Sequence, residues 1–108
     1  MYVKIFGSIL DSSIWQEGHA TVRVWFTLLC MADRQGRVRS SFPGLADRAK
    51  VTREECRTAL AIFEAPDPES KDQDWGGRRI ERIDGGWQLL NYGKYRELQT
   101  EDQRAAAE

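Results

Sequence analysis

Apolar positions recur at helical spacing in three stretches of this chain and alternate in shorter ones. Over 20–32, Val22, Trp25, Phe26, Leu29 and Cys30 form a broad stripe, which predicts a central core helix entered after Gly18 and His19. Over 41–49 the pattern is shorter. Ser40 or Ser41 stands where a helix cap is needed, Pro43 suits a first turn because its missing N–H is no loss there, and Leu45, Ala46 and Ala49 point one way. The third stretch, 52–64, has the clearest start signal. Thr52 is placed to cap, Glu55 three residues on completes a capping box, and Cys56, Ala59, Leu60 and Phe63 follow at i, i+3, i+4 and i+7. Lys50 and Val51 turn the chain between the last two helices, with Val51 as an apolar plug. The expectation is a helix, a tight turn and a helix.

The remaining signals are for strands and loops. Residues 2–6 read as a short strand, with Tyr2, Lys4 and Phe6 on one side. Ile9, Leu10, Ile14 and Trp15 suit either a helical turn or an extended anchor, with Trp15 expected in the core. Arg37, Val38 and Arg39 read as a very short strand with both arginines on one face. Residues 78–91 read as a β-hairpin, because Asp84-Gly85-Gly86 lies between Ile80 and Ile83 on one side and Trp87, Leu89 and Leu90 on the other. The segment 65–77 is a loop rich in Pro, Gly and acids. Trp75 is expected to pin it to the body, with exposure for a partner as the alternative. The stretch 91–98, with Tyr92 and Tyr95, suits a short helix or an extended arm, and 99–108 is a polar tail of low order.

At 108 residues the chain is expected to form one domain, 1–98, followed by the tail 99–108. With 31% charged and 41% hydrophobic residues it has the balance of a water-soluble protein, and no apolar run reaches membrane-spanning length. The N-terminus lacks a convincing signal peptide, so a cytoplasmic protein is expected. Net charge is −1, but it is unevenly spread. Residues 34–57 carry seven basic side chains against three acids, whereas 64–74 carry five acids against Lys71. Cys30 and Cys56 have no C-x-x-C spacing and are expected to be reduced core thiols. No enzyme, cofactor or metal constellation is present. His19 is the lone histidine, no phosphate-binding glycine motif occurs, and Asp67, Glu69, Asp72 and Asp74 lack the glycine and glutamate of a calcium loop.

The predicted order is N-terminal strand or arm, long helix, tiny strand, helix, turn, helix, loop and hairpin. This is the order of an α+β winged helix-turn-helix, with three core helices, a small antiparallel sheet and a hairpin wing. The segments GSILDSSIW, VWFTLLCMADRQGRVRSSFPGLADRAKVTREECRTALAIFEAPDPES and GRRIERIDGGWQLLNYGKYREL together resemble a family of small prophage-encoded winged-helix proteins. They are also similar to the DNA-binding domains of phage replisome organisers and replication-initiation proteins. The resemblance spans roughly residues 3–98 and implies DNA binding in phage replication or its regulation, with the helix 53–64 and the wing 78–87 as the readers. It also implies contact with a helicase or its loader through a region outside this chain.

On that reading, Arg53 and Arg57, one helical turn apart, reach base edges or phosphates of DNA, the duplex being the expected form. Glu54 accepts from cytosine, Thr52 and Thr58 bond phosphate oxygens, and Arg37, Arg39, Arg48 and Lys50 hold the backbone. Arg78, Arg79 and Arg82 bring the wing to a minor groove or to flanking phosphates. The acidic segment would shield the basic one until a partner moves it. The rival readings are a protein-interaction module, whose contact patch is the wing, Trp75 and the tail tyrosines, and a homodimeric regulator reading a palindrome.

Overall fold

The computed structural model describes residues 7–69, 73–90 and 92. The strand expected at 2–6, the polar end 99–108 and all of 91–98 except Tyr92 lie outside the described residues. The chain is α+β. Two short 3-10 turns, Gly7–Asp11 and Ser13–Gln16, lead into α1 (His19–Met31), β1 (Arg37–Arg39), α2 (Phe42–Ala49), α3 (Arg53–Glu64), β2 (Ile80–Ile83) and β3 (Gly86–Leu89). The three strands form one antiparallel sheet in the order β1-β3-β2. Among the described residues no helix is long and apolar enough to cross a membrane.

The starts of α2 and α3 have a physical cause in the sequence, whereas α1 begins after Gly18 with no side-chain cap. Ser41 caps α2 by accepting from the Gly44 N–H, and Pro43 occupies the first turn. Thr52 and Glu55 form the full capping box of α3: the Glu55 N–H donates to Thr52 Oγ1 at 3.0 Å, and the Thr52 N–H donates to Glu55 Oε1 at 2.9 Å. Between the helices Lys50 takes a left-handed conformation, φ 60°, and its N–H closes on the carbonyls of Ala46 and Asp47. Val51 packs against the core at that point, as an interhelical plug should.

All four stripe residues of α3, Cys56, Ala59, Leu60 and Phe63, are buried, as are Leu45, Ala46 and Ala49 of α2. The phase of α1 differs from the expected one. Its buried face is Thr21, Val24, Leu28 and Leu29, while Val22, Trp25 and Phe26 flank it half-buried and Cys30 is exposed. The reason is that α1 packs against α2, α3 and β1 together, so apolar residues on both shoulders find partners and the centre of the stripe shifts. Trp25 on one shoulder lies 5.2 Å from Phe63, ring centre to ring centre, in a tilted pair.

The sheet is locked to the helices by Val38 and Trp87, which pair directly and are both fully buried. A two-residue turn, Asp84-Gly85, joins β2 to β3, and its left-handed residue is Gly85, φ 83°. Gly86 is needed for a different reason. A side chain there would fall on the Val38 carbonyl, so only glycine lets β3 close on β1. The Ser40 N–H then donates to the Gly85 carbonyl at 3.1 Å, which ties the hairpin turn to the start of α2.

Two tryptophan expectations are overturned. Trp15 is 47% exposed, and the neighbouring Ile14, at 2%, is the residue that enters the core. Trp75 is 59% exposed and pins nothing. The loop is held instead by polar contacts of Asp67, Arg78 and Arg79.

Candidate nucleic-acid interface

The residues expected to touch DNA fall on separate surfaces. On α3 the buried stripe fixes what faces out. Glu54, Thr58 and Ala61 fall at i, i+4 and i+7 on the crest opposite that stripe, and all three are exposed. Arg53 and Arg57 run along one flank of the crest, both exposed. The Arg57 guanidinium sits 5.3 Å from the centre of the Phe42 ring, within cation–π range. Phe42 is the first residue of α2, so this contact holds Arg57 beside the capped N-terminus formed by Ser41. Thr52 Oγ1 accepts one bond in the capping box, which leaves its own proton to donate.

Arg37 and Arg39 point away from the helices, because Val38 between them points into the core. Arg39 nevertheless adjoins Ser40 and Ser41, so it reaches the edge of the α2 start. Arg48 and Lys50 line a groove of about 670 Å³ together with Arg23, Phe26, Thr27, Cys30 and Met31 of α1. None of Arg37, Arg39, Arg48, Lys50, Arg53 and Arg57 has an ion-pair partner among the described residues.

The three hairpin arginines are placed differently, and two are removed from the expected DNA surface. Arg78 Nε donates to the Glu64 carbonyl at 3.0 Å. Arg79 lies in an internal latch. One terminal nitrogen donates to Ser13 Oγ at 2.6 Å, and the other pairs with Asp67 Oδ2 at 3.3 Å, with side-chain exposures of only 14% for Arg79 and 22% for Asp67. Ser13 Oγ donates to the same Asp67 oxygen at 2.6 Å, and Asp67 Oδ1 accepts from the Glu69 N–H at 3.0 Å. The Ser13 hydrogen bond first, helped by the Glu69 N–H and the Arg79 charge, holds the Asp67 carboxyl below its ordinary pKa. Arg82 remains exposed, with its guanidinium 4.9 Å from the Trp87 ring centre.

The latch fastens Asp67, one acid of the segment expected to shield the basic residues, beyond the C-terminal end of α3, whereas Arg53 and Arg57 lie in its N-terminal half. Neither the latch nor the Phe42 stack was visible in the sequence, because their partners lie 54 and 66 residues apart for Ser13 and on different helices for Arg57. Among the described residues no group of His, Cys, Asp and Glu is placed to hold a metal ion.

No family model, curated protein or solved structure matches this chain.

Proposed function

We propose that this chain is a winged-helix DNA-binding domain that acts in phage DNA replication initiation or its regulation, in the cytoplasm and without catalysis of its own. The single observation that carries the reading is the set of exposed cations around a capped helix pair, which have no ion-pair partner among the described residues. Arg53 and Arg57 flank the crest of α3, Arg57 is held against Phe42 at the α2 start, and Arg39 adjoins the same start. Supporting it are the α+β element order, the hairpin tied beside α2, and the sequence resemblance to DNA-binding domains of phage replication proteins. The resemblance adds a helicase or its loader as a protein partner.

In this reading α3 enters the major groove of duplex DNA. Ala61 on the crest is small enough for close approach, Thr58 donates to a base or phosphate, and Glu54 accepts from cytosine while rejecting badly placed phosphate. Arg53 and Arg57 neutralise phosphates or read guanine. The hairpin contributes Arg82 at most, since Arg78 and Arg79 are engaged within the protein.

The test is fluorescence anisotropy of labelled duplex and single-stranded DNA at several salt concentrations, with wild-type protein and Arg57→Glu. Three to four neutralised phosphates give a slope of log K against log salt of about −3 for duplex. Arg57→Glu is expected to weaken binding at least about tenfold with the fold intact. A folded protein that binds neither DNA at about 50 mM salt overturns the proposal.

A further inference from the structure

We infer that this protein self-associates head to tail, with Trp75 of one copy seated in the α1–α2 groove of the next. The two surfaces are complementary and are built from different residues.

The donor surface is a built turn. Trp75 has φ 63° and Gly76 φ 67°, a conformation that a bulky side chain rarely adopts. Main-chain bonds hold it there: Gly76 N–H to the Gln73 carbonyl, Arg78 N–H to the Trp75 carbonyl, and Asp67 N–H to the Gly76 carbonyl. Gln73 Nε2 adds bonds to the carbonyls of Asp67 and Pro68. The result is a hydrogen-bonded turn that presents an indole to solvent. Among the described residues just before it, Glu64, Asp67, Glu69 and Asp74 are acidic, with Asp67 paired to Arg79. An exposed indole preceded by acidic residues is an anchor for an apolar slot with a basic rim.

The acceptor surface has that character. Phe26, Cys30 and Met31 form an apolar floor, and Arg23, Arg48 and Lys50 form the rim, with no carboxylate among the lining residues. Its volume of about 670 Å³ accommodates an indole and part of the chain on either side. Charge complementarity sets the orientation, and the exposed indole supplies the apolar contact.

Trp75 is exposed and does not line the groove of its own copy. Lys50 precedes the α3 cap Thr52, while the Trp75 turn is fastened to the other end of α3 through Arg78 Nε and the Glu64 carbonyl. Between Lys50 and the Arg78 contact runs the length of α3, 12 residues and roughly 18 Å at 1.5 Å per residue. Because donor and acceptor are different patches, the contact is heterologous and propagates into chains or a ring. The inference does not use Arg53 or Arg57, but Arg48 and Lys50, expected from the sequence to hold the DNA backbone, form the groove rim, so its test is run without DNA.

The experiment is sedimentation velocity without DNA, over a range of protein concentrations at low and high salt. Wild-type protein is expected to grow in mass with concentration and to do so less at high salt. Trp75→Ala and the double variant Arg48→Glu/Lys50→Glu, each folded by circular dichroism, are each expected to associate at least about tenfold more weakly. Mixed one to one, the two variants retain one intact donor and one intact acceptor, so the mixture is expected to form a capped dimer and stop. Wild-type protein that stays monomeric at low salt overturns the inference. So does association that Trp75→Ala leaves unchanged, or a mixture that stays monomeric. Loss of DNA binding in Arg57→Glu bears on the DNA reading alone.

Discussion

Arg79 separates a structural role from a DNA-contacting one, and the separation is measurable. Arg79→Met keeps the aliphatic length of the side chain and removes the guanidinium. What is lost is a 3.3 Å ion pair to Asp67 and a 2.6 Å hydrogen bond to Ser13, in a site where the two charged side chains are 14% and 22% exposed. Fully exposed pairs contribute about 0–1 kcal/mol, and breaking a buried pair costs about 3–5 kcal/mol, so a partly buried pair with one further hydrogen bond is expected to cost about 2 kcal/mol. For a domain of this size that is a fall in Tm of about 10 °C. Urea and thermal unfolding of Arg79→Met, Asp67→Asn and the double variant should be non-additive, with a coupling of about 1 kcal/mol. The pH dependence has a definite sign. The folded carboxyl of Asp67 has a pKa below the unfolded value, so its stabilisation is complete above the unfolded pKa and is lost as pH falls through the folded one. Asp67→Asn should therefore flatten the acid limb below about pH 4. It should not abolish it, because the Arg37 N–H, with that of Gln35, also lowers the pKa of Asp33. Two results would refute the reasoning: unfolding of Arg79→Met within about 0.5 kcal/mol of wild type, or a folded Arg79→Met that loses as much DNA affinity as Arg57→Glu.

Two further outcomes follow from burial and capping. Cys30 is exposed and Cys56 is buried with its thiol pKa pushed up by burial, so a disulfide reagent should label one thiol rapidly in native protein and the second only in urea; two fast thiols would contradict this packing of α3. Thr52→Ala removes one half of the α3 capping box and should lower stability by about 1 kcal/mol in urea unfolding, whereas a loss below about 0.3 kcal/mol would mean that the cap is redundant.

What could be read from the sequence was local. The capping box and stripe of α3, the Ser41 cap and the Asp-Gly turn are each written within a few residues, and each appears as expected. Val38 was identified from three residues because its alternation with two arginines leaves one apolar side. The errors arose where a side chain's fate depends on distant packing. The phase of α1 is set by three neighbours, which periodicity within one helix cannot weigh. Ile14 and Trp15 are adjacent, and burying the larger one seemed favourable. The 3-10 turn capped by Ser12 instead directs Ile14 inward. Trp75 depends on distant partners too, because its turn is closed by main-chain bonds of Asp67, Gln73 and Arg78, and the indole stays exposed.

Charge shows the limit most clearly. Along the chain, 34–57 sums to a strong positive excess, which invites one continuous basic face. The fold divides it three ways: Arg37 and Arg39 on the outer face of the sheet, Arg48 and Lys50 in the groove with Arg23, and Arg53 and Arg57 beside the α3 crest. The acidic excess is not spread over these cations. The latch holds Asp67 against Arg79 and Ser13 beyond the C-terminal end of α3, away from Arg53 and Arg57 at its start. Such a separation acts on orientation more than on total attraction. On the proposed reading, a polyanion is drawn to the exposed Arg53 and Arg57 rather than to Arg78 and Arg79, which are engaged within the protein.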